Sequence, residues 1–373
     1  VIYDGTLLLA KSNGTLPVNA ITNGAVTVND GGVLKYASGI TNADLIAYSA
    51  VTVNQTGRLD FNGASDGIGA LSVYSPGALT DTTPIINTAG SGNLAVNGLT
   101  IQPAAGFLTR IDTGTGMLTL SNNVTFNATS TGRAQISGNL SLGGTTRTLT
   151  VNQGFATNYD LSIDAVISGG AAGAGITKAG GGVLRLGGAN TFDGNLSVGN
   201  SLGTVVLGHS QALGTPSAAR TVSIGTGDTL ALDGAGIYDP NNWIALSLNG
   251  TGDSRLGAVS GALVNLSGSN TVPCAIALAG TTQIATKQAG DKLTLTGPFT
   301  GAYALTVAGA GETALAGANG TILAASAITV VSNGVLRLDN TALNNNANRI
   351  GNSIPITLAG GAFGLSGDGG ATN

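Results

Sequence analysis

GVLRL at residues 182–186, a glycine followed by alternating apolar and variable positions, returns letter for letter at 334–338. Variants of the phrase stand along the chain: GVLKY (32–36), GRLDF (57–61), GMLTL (116–120) and, without the glycine, DTLAL (228–232) and DKLTL (291–295). An alternation of two is that of a strand with one buried face. A short strand between turns cannot bury that face alone. Its return over hundreds of residues therefore predicts a solenoid in which each coil covers its neighbours. Successive phrases start 25, 59, 66, 46, 63 and 43 residues apart, near whole multiples of a coil of about 20–22 residues. The expected fold is all-β: a right-handed parallel β-helix of about 17 coils stacked at ~4.8 Å. Residues 1–373 read as one continuous β-solenoid segment that opens and closes in mid-repeat, as part of a longer chain would.

Composition agrees with a narrow β core. Of 373 residues 61 are Gly, and only 9% are charged, against about 25% in ordinary globular chains. Hydrophobic residues reach 42% with a net charge of −4, enough apolar surface to offset chain entropy. Aromatics make up only 4%, which suits stacked coils that leave little room for rings. The five Lys and nine Arg are dispersed, so no basic stripe exists to neutralise phosphates and no nucleic-acid partner is expected. One Cys and one His supply neither an internal disulfide nor a multi-histidine metal centre. No run of 18 or more apolar residues reads as a membrane span.

Between the phrases lie shorter strands, among them AVTV (25–28), VTVN (51–54), LSVY (71–74), VTF (124–126) and TLTV (148–151). Asn-Gly pairs at 13–14, 23–24 and 62–63 mark sharp corners, because both residues tolerate the left-handed conformation. The Gly/Ala-rich stretch 168–182 reads as a loop with a tightly packed corner. Only 209–219 and 340–351 could hold a helical turn, and Gly, Pro and Asn would end it quickly.

The segment ITKAGGGVLRLGGANTFDGNLSVGNSLGTVVLGHSQALG (176–214) resembles the autotransporter-associated β-strand repeat, also called the passenger-associated transport repeat. The matching parts are 178–182, the strand 183–186, GANTFDG (188–194), the strand 196–198 and VVLGHSQALG (205–214). NRIGNSIPITLAGGAFGLSG (348–367) is a second match, and 293–320 holds a degenerate echo. The resemblance implies a parallel β-helix exported to the bacterial cell surface, often within very long chains, as a stalk, adhesin or matrix component. It carries no catalytic residues. No C-terminal membrane barrel is visible in this sequence.

Tests for chemistry return little. The only histidine, His209, precedes Ser210, but the glycine a nucleophile elbow needs does not follow. Gly-x-Gly pairs abound without the spacing of a dinucleotide or phosphate loop. NDGG (29–32), SDGIG (65–69) and GDGG (367–370) are isolated rather than tandem, so calcium nonapeptide repeats are not read here. Parallel β-helices that cleave glycans cluster acids on one exterior face. The acids available for this are Asp160 with Asp164, Asp228 with Asp233, Asp239, and the single glutamate, Glu312. IYDPNNW (237–243) gathers Tyr238, Asp239 and the only tryptophan, Trp243, and these three are the candidates for glycan contact through ring stacking. No catalytic, cofactor or metal site is assigned. The function expected is a non-enzymatic structural β-solenoid of an extracellular or cell-surface protein, acting as stalk, adhesin or fibre component. Its partners would be further repeats of the same chain, copies joined end to end, or surface glycans. The alternative is a glycan-binding or glycan-cleaving β-helix.

Overall fold

Alternation in the phrases becomes alternation in burial. In the strand Gly32–Tyr36 residues 32, 34 and 36 are buried while 33 and 35 are not, and Val51–Asn54 and Leu71–Tyr74 begin the same way. The computed structural model describes residues 1–10, 21, 24–40, 48–74, 83–88, 90–127, 130–154, 159–199, 202–215, 218–234, 236–238, 243–256, 259–331, 333–341, 346 and 348–367. These fall into two compact units, Val1–Gly194 and Asn195–Asn373. Both are β-solenoids of parallel strands. Among the described residues the only helical element is a single 3-10 turn, Ser254–Leu256.

In the first unit a coil contributes up to three strand segments, two of them running together in Leu108–Leu120 and in Arg133–Ser141, and equivalent segments of successive coils pair side by side. One inward column runs Val26, Val51, Leu71, Leu99, Val124, Leu149. A second runs Leu34, Leu59, Ile86, Ile111, Ile136, Ile163, Leu186, and a third Leu94, Leu118, Leu140, Ile167. All of these side chains are buried. Each fully buried aliphatic side chain stabilises by about 1.5–3 kcal/mol, so the columns supply the main force holding the coils together. The second unit repeats the plan. Leu196, Val222, Leu246, Ile276 and Phe299 form one column, Leu263, Ile284, Val307 and Val330 another. Its third face is a separate five-stranded sheet that includes Lys292–Leu295, Glu312–Leu315 and Val335–Asn340.

The coils are longer than the 20–22 residues expected. Steps along the first column are 25, 20, 28, 25 and 25 residues, and those along the corresponding column of the second unit are 26, 24, 30 and 23. The cause lies in where the phrases fall. GVLKY and GRLDF are direct neighbours on one face, but GMLTL lies on another, pairing through Leu118 with Leu94. Likewise DKLTL and the second GVLRL belong to the separate sheet of the second unit. Intervals between phrases on different faces are not whole coils. Their common divisor is correspondingly too short.

Corners follow the turn chemistry. Asn62 and Gly63 both have positive φ, 48° and 83°, as the Asn-Gly pair predicted; the pair at 13–14 and Asn23 lie outside the described residues. Close stacking accounts for other glycines. A Cβ on Gly116 would sit 1.9 Å from the Gly92 carbonyl oxygen, and one on Gly92 would sit 2.2 Å from that of Ala64. Three successive coils touch there through bare backbone. The stretch 168–182 holds more than loop and corner, because the strand Ile176–Ala179 lies within it and pairs with Arg147–Val151. That pairing sets Lys178 opposite Leu149. The lysine is fully buried, and its ammonium donates to the Gly180 carbonyl.

Candidate functional surface

The acids that could have formed a catalytic cluster are individually occupied with structure. In the first unit Asp160 is buried; its carboxylate accepts the Gly154 N–H at 2.9 Å and the Val183 N–H at 2.7 Å. Asp164 accepts from the Arg185 guanidinium, from Gln135 Nε2 at 2.7 Å and from Ser162 Oγ at 3.0 Å. In the second unit Asp228 is buried and accepts the Gly203 N–H at 2.8 Å. Asp233 accepts from Ser267 Oγ at 2.9 Å. Asp253, which the sequence did not single out, is gripped by Arg255 through Nε at 2.9 Å and Nη2 at 2.6 Å, with Thr204 Oγ1 at 3.0 Å. Burial alone would raise the Asp253 pKa, but the Arg255 guanidinium and N–H and the Thr204 hydroxyl outweigh it and hold the carboxyl below its ordinary range.

Glu312 sits in an ion network on the third face of the second unit. Lys292 Nζ lies 3.4 Å from Glu312 and 3.3 Å from Asp339, and Arg337 Nε lies 2.5 Å from Glu312. Strand register produces the cluster, because Lys292 is paired with Glu312 and Arg337 stands on the next strand. Desolvation would raise the Asp339 pKa; hydrogen bonds from the Thr341 hydroxyl and N–H and from Lys292 prevail and lower it. A general acid needs the opposite shift. Among the described residues no three His, Cys, Asp or Glu side chains group to hold a metal.

Tyr238 lies inside the second unit. Its ring is buried beside Leu207, Leu230, Leu246 and Cys274, and its hydroxyl donates to the Leu207 carbonyl at 3.1 Å. Trp243 is 40% exposed, and Asp239 lies outside the described residues. Of the three glycan-contact candidates, the structure thus shows one open ring. His209 Nδ1 accepts the Gln211 N–H at 3.0 Å within a turn, a local structural task.

The shorter strands between the glycine phrases form a second recurring phrase, which organises the most regular outer surface. VTVN (26–29), VTVN (51–54), LSVY (71–74), LTIQ (99–102), VTFN (124–127) and LTVN (149–152) occupy six consecutive rungs of the first unit. In-register pairing places Thr27, Thr52, Ser72, Thr100, Thr125 and Thr150 in one line. Each is partly exposed, between buried neighbours. Beside them, at the ends of the phrases, runs a line of Asn, Gln and one Tyr. Asn54 Nδ2 donates to Asn29 Oδ1 at 2.9 Å, and Asn152 Nδ2 to Asn127 Oδ1 at 2.5 Å. Tyr74 is 40% exposed. Neither line contains a charged residue. The signal was available in the sequence as apolar-Thr-apolar-Asn at coil spacing.

Comparison with known proteins gives one relative of known character. Over 165 residues, 42% of this chain, the sequence is 35% identical to the adhesin BmaC autotransporter of Brucella suis biovar 1 (strain 1330). The match covers 4% of that protein, so the chain is similar to a small part of a far larger one. No family model matches, and no solved structure matches. Fold and relative together make this a β-solenoid with sequence similarity to an autotransporter adhesin.

Proposed function

We propose that the chain is a non-enzymatic β-solenoid segment of a bacterial surface or secreted protein, serving as stalk or adhesive element. Segment 176–214 is then a copy of the passenger-associated transport repeat. The observation that carries this reading is the parallel stacking of strands within each unit, with the described acids Asp160, Asp164, Asp228, Asp233, Asp253 and Glu312 engaged in hydrogen bonds or ion pairs. A lyase or hydrolase on such a scaffold needs a free acid and base facing one groove, and none of these acids is so arranged. The similarity to an adhesin supports the surface location.

Ile356, Leu358, Phe363 and Leu365 are between 38% and 55% exposed on strands whose inner neighbours are covered. In the proposal a further coil, from the same chain or from a copy joined end to end, covers them. The test is to coat beads with the purified chain. Attachment to host cells or to extracellular matrix, with no product released from a panel of polysaccharides, is the expected result. Catalytic turnover of any polysaccharide would overturn the reading.

A further inference from the structure

We propose that the threonine face of the first unit binds an extended, uncharged polysaccharide laid along the line of Thr27, Thr52, Ser72, Thr100, Thr125 and Thr150. The inference rests on the reading of the chain as an adhesive surface segment and names the chemistry of its ligand. Six rungs at ~4.8 Å give a line on the order of 24 Å long, and the register along it shows no shift. None of these six hydroxyls has a hydrogen-bond partner among the described residues. Each can both donate and accept. The backbone N–H and C=O groups beneath are consumed by the ladder, so an added strand has nothing to pair with on this face. What the face offers is a repeating row of two-way hydroxyls backed by amides.

The ligand class follows from that offer. A chain of neutral sugars presents donors and acceptors of the same two-way kind at regular steps. The absence of Lys and Arg from both lines removes the means of holding a phosphate, sulfate or uronate polymer. The absence of Asp and Glu likewise removes attraction for a basic protein. Tyr74, exposed in the third rung, supplies a ring for stacking against a sugar face. Asn29, Asn54, Asn127 and Asn152, tied to one another in pairs, hold their amides in line. Weak contacts repeated along one polymer sum to useful avidity.

The test is co-sedimentation of the full chain with insoluble cellulose, chitin or a β-1,3-glucan. The comparison variant carries Thr52→Val, Thr100→Val, Thr125→Val and Thr150→Val, which removes four hydroxyls and keeps the branched shape suited to strands. A second variant, Thr100→Lys, places one charge in mid-line, and Thr306→Lys in the second unit is the control. Thermal midpoints and far-UV circular dichroism verify folding. The expected result is binding of the native chain to at least one polysaccharide, weakened at least tenfold in the valine variant and in Thr100→Lys but not in Thr306→Lys. No binding by the native chain overturns the proposal, as does equal binding by the valine variant, or sedimentation of the native chain without polysaccharide. Bead attachment without polysaccharide binding would sink this inference alone and leave the adhesive role standing.

Discussion

Replacing Tyr36 by phenylalanine deletes a single oxygen from the interior of the first unit and leaves the packing volume almost unchanged. The Tyr36 hydroxyl donates to Asp66 Oδ2 at 2.7 Å, and the other carboxylate oxygen accepts the Gly67 N–H at 2.7 Å. Both side chains are buried, Asp66 at 8% exposure. The tyrosine ring stacks on Phe61 of the next coil, centroids 4.7 Å apart and planes 28° off parallel, a contact the substitution keeps. The loss is therefore that of one buried hydrogen bond to a carboxylate, about 1.5–3 kcal/mol. Phe61→Ala, which empties the ring's place, should cost more, about 3–5 kcal/mol. Urea unfolding followed by far-UV circular dichroism gives the free energies. Native-state hydrogen exchange over Gly32–Tyr36 tests whether the loss is local. A double-mutant cycle with Asp66→Ala should return a coupling close to the whole Tyr36→Phe effect. If Tyr36→Phe stays within ~0.5 kcal/mol of the parent, the range of inert surface changes, or if the two substitutions simply add, the assigned role of this hydrogen bond is wrong.

Three further outcomes follow from the same geometry. Gly116→Ala drives a methyl group against the Gly92 carbonyl oxygen and should destabilise the first unit by about 1–3 kcal/mol, read as a lowered thermal midpoint; an unchanged midpoint would mean the coils separate there freely. Asp253 has a folded pKa below the ordinary aspartate value, so its contribution is fully present above that ordinary value and is lost as pH falls through the folded pKa. Asp253→Asn should accordingly flatten the acid limb of the second unit's stability profile below about pH 4, and an acid limb as steep as the parent's would contradict the assignment. Glu312→Gln breaks a partly exposed ion network and should cost less than about 1 kcal/mol; that difference should vanish in 1 M salt, where screening reaches within ~3 Å.

The parallel solenoid was legible in the sequence because GVLKY, GRLDF and GVLRL pair an inward alternation with turn residues at each end. Coil length was not. The same phrase serves different faces, as GMLTL shows, and corner loops vary freely in length because they carry no part of the ladder. Lys178 was also invisible: a lysine inside an apolar column runs against the burial preference of its charge, and only the pairing with Leu149 places it there. Local aromatic density in the sequence points to Tyr238, Asp239 and Trp243, yet a ring near a turn can rotate inward to fill the coil, as Tyr238 does. The threonine line is hidden in the sequence for a different reason. Thr and Asn in alternation with Val look like ordinary strand and corner residues until they are aligned at coil spacing, when their position on one exterior line becomes apparent.

Partners in the ladder stand only 20–34 residues apart in the chain. No coil waits for a distant segment before it can close, so the ordering cost of each step is that of one short loop. A polypeptide delivered from one end, whether by a ribosome or by a secretion apparatus, could lay down each turn as soon as it emerges. The strand just completed would serve as template for the next, and growth would proceed in the direction of delivery.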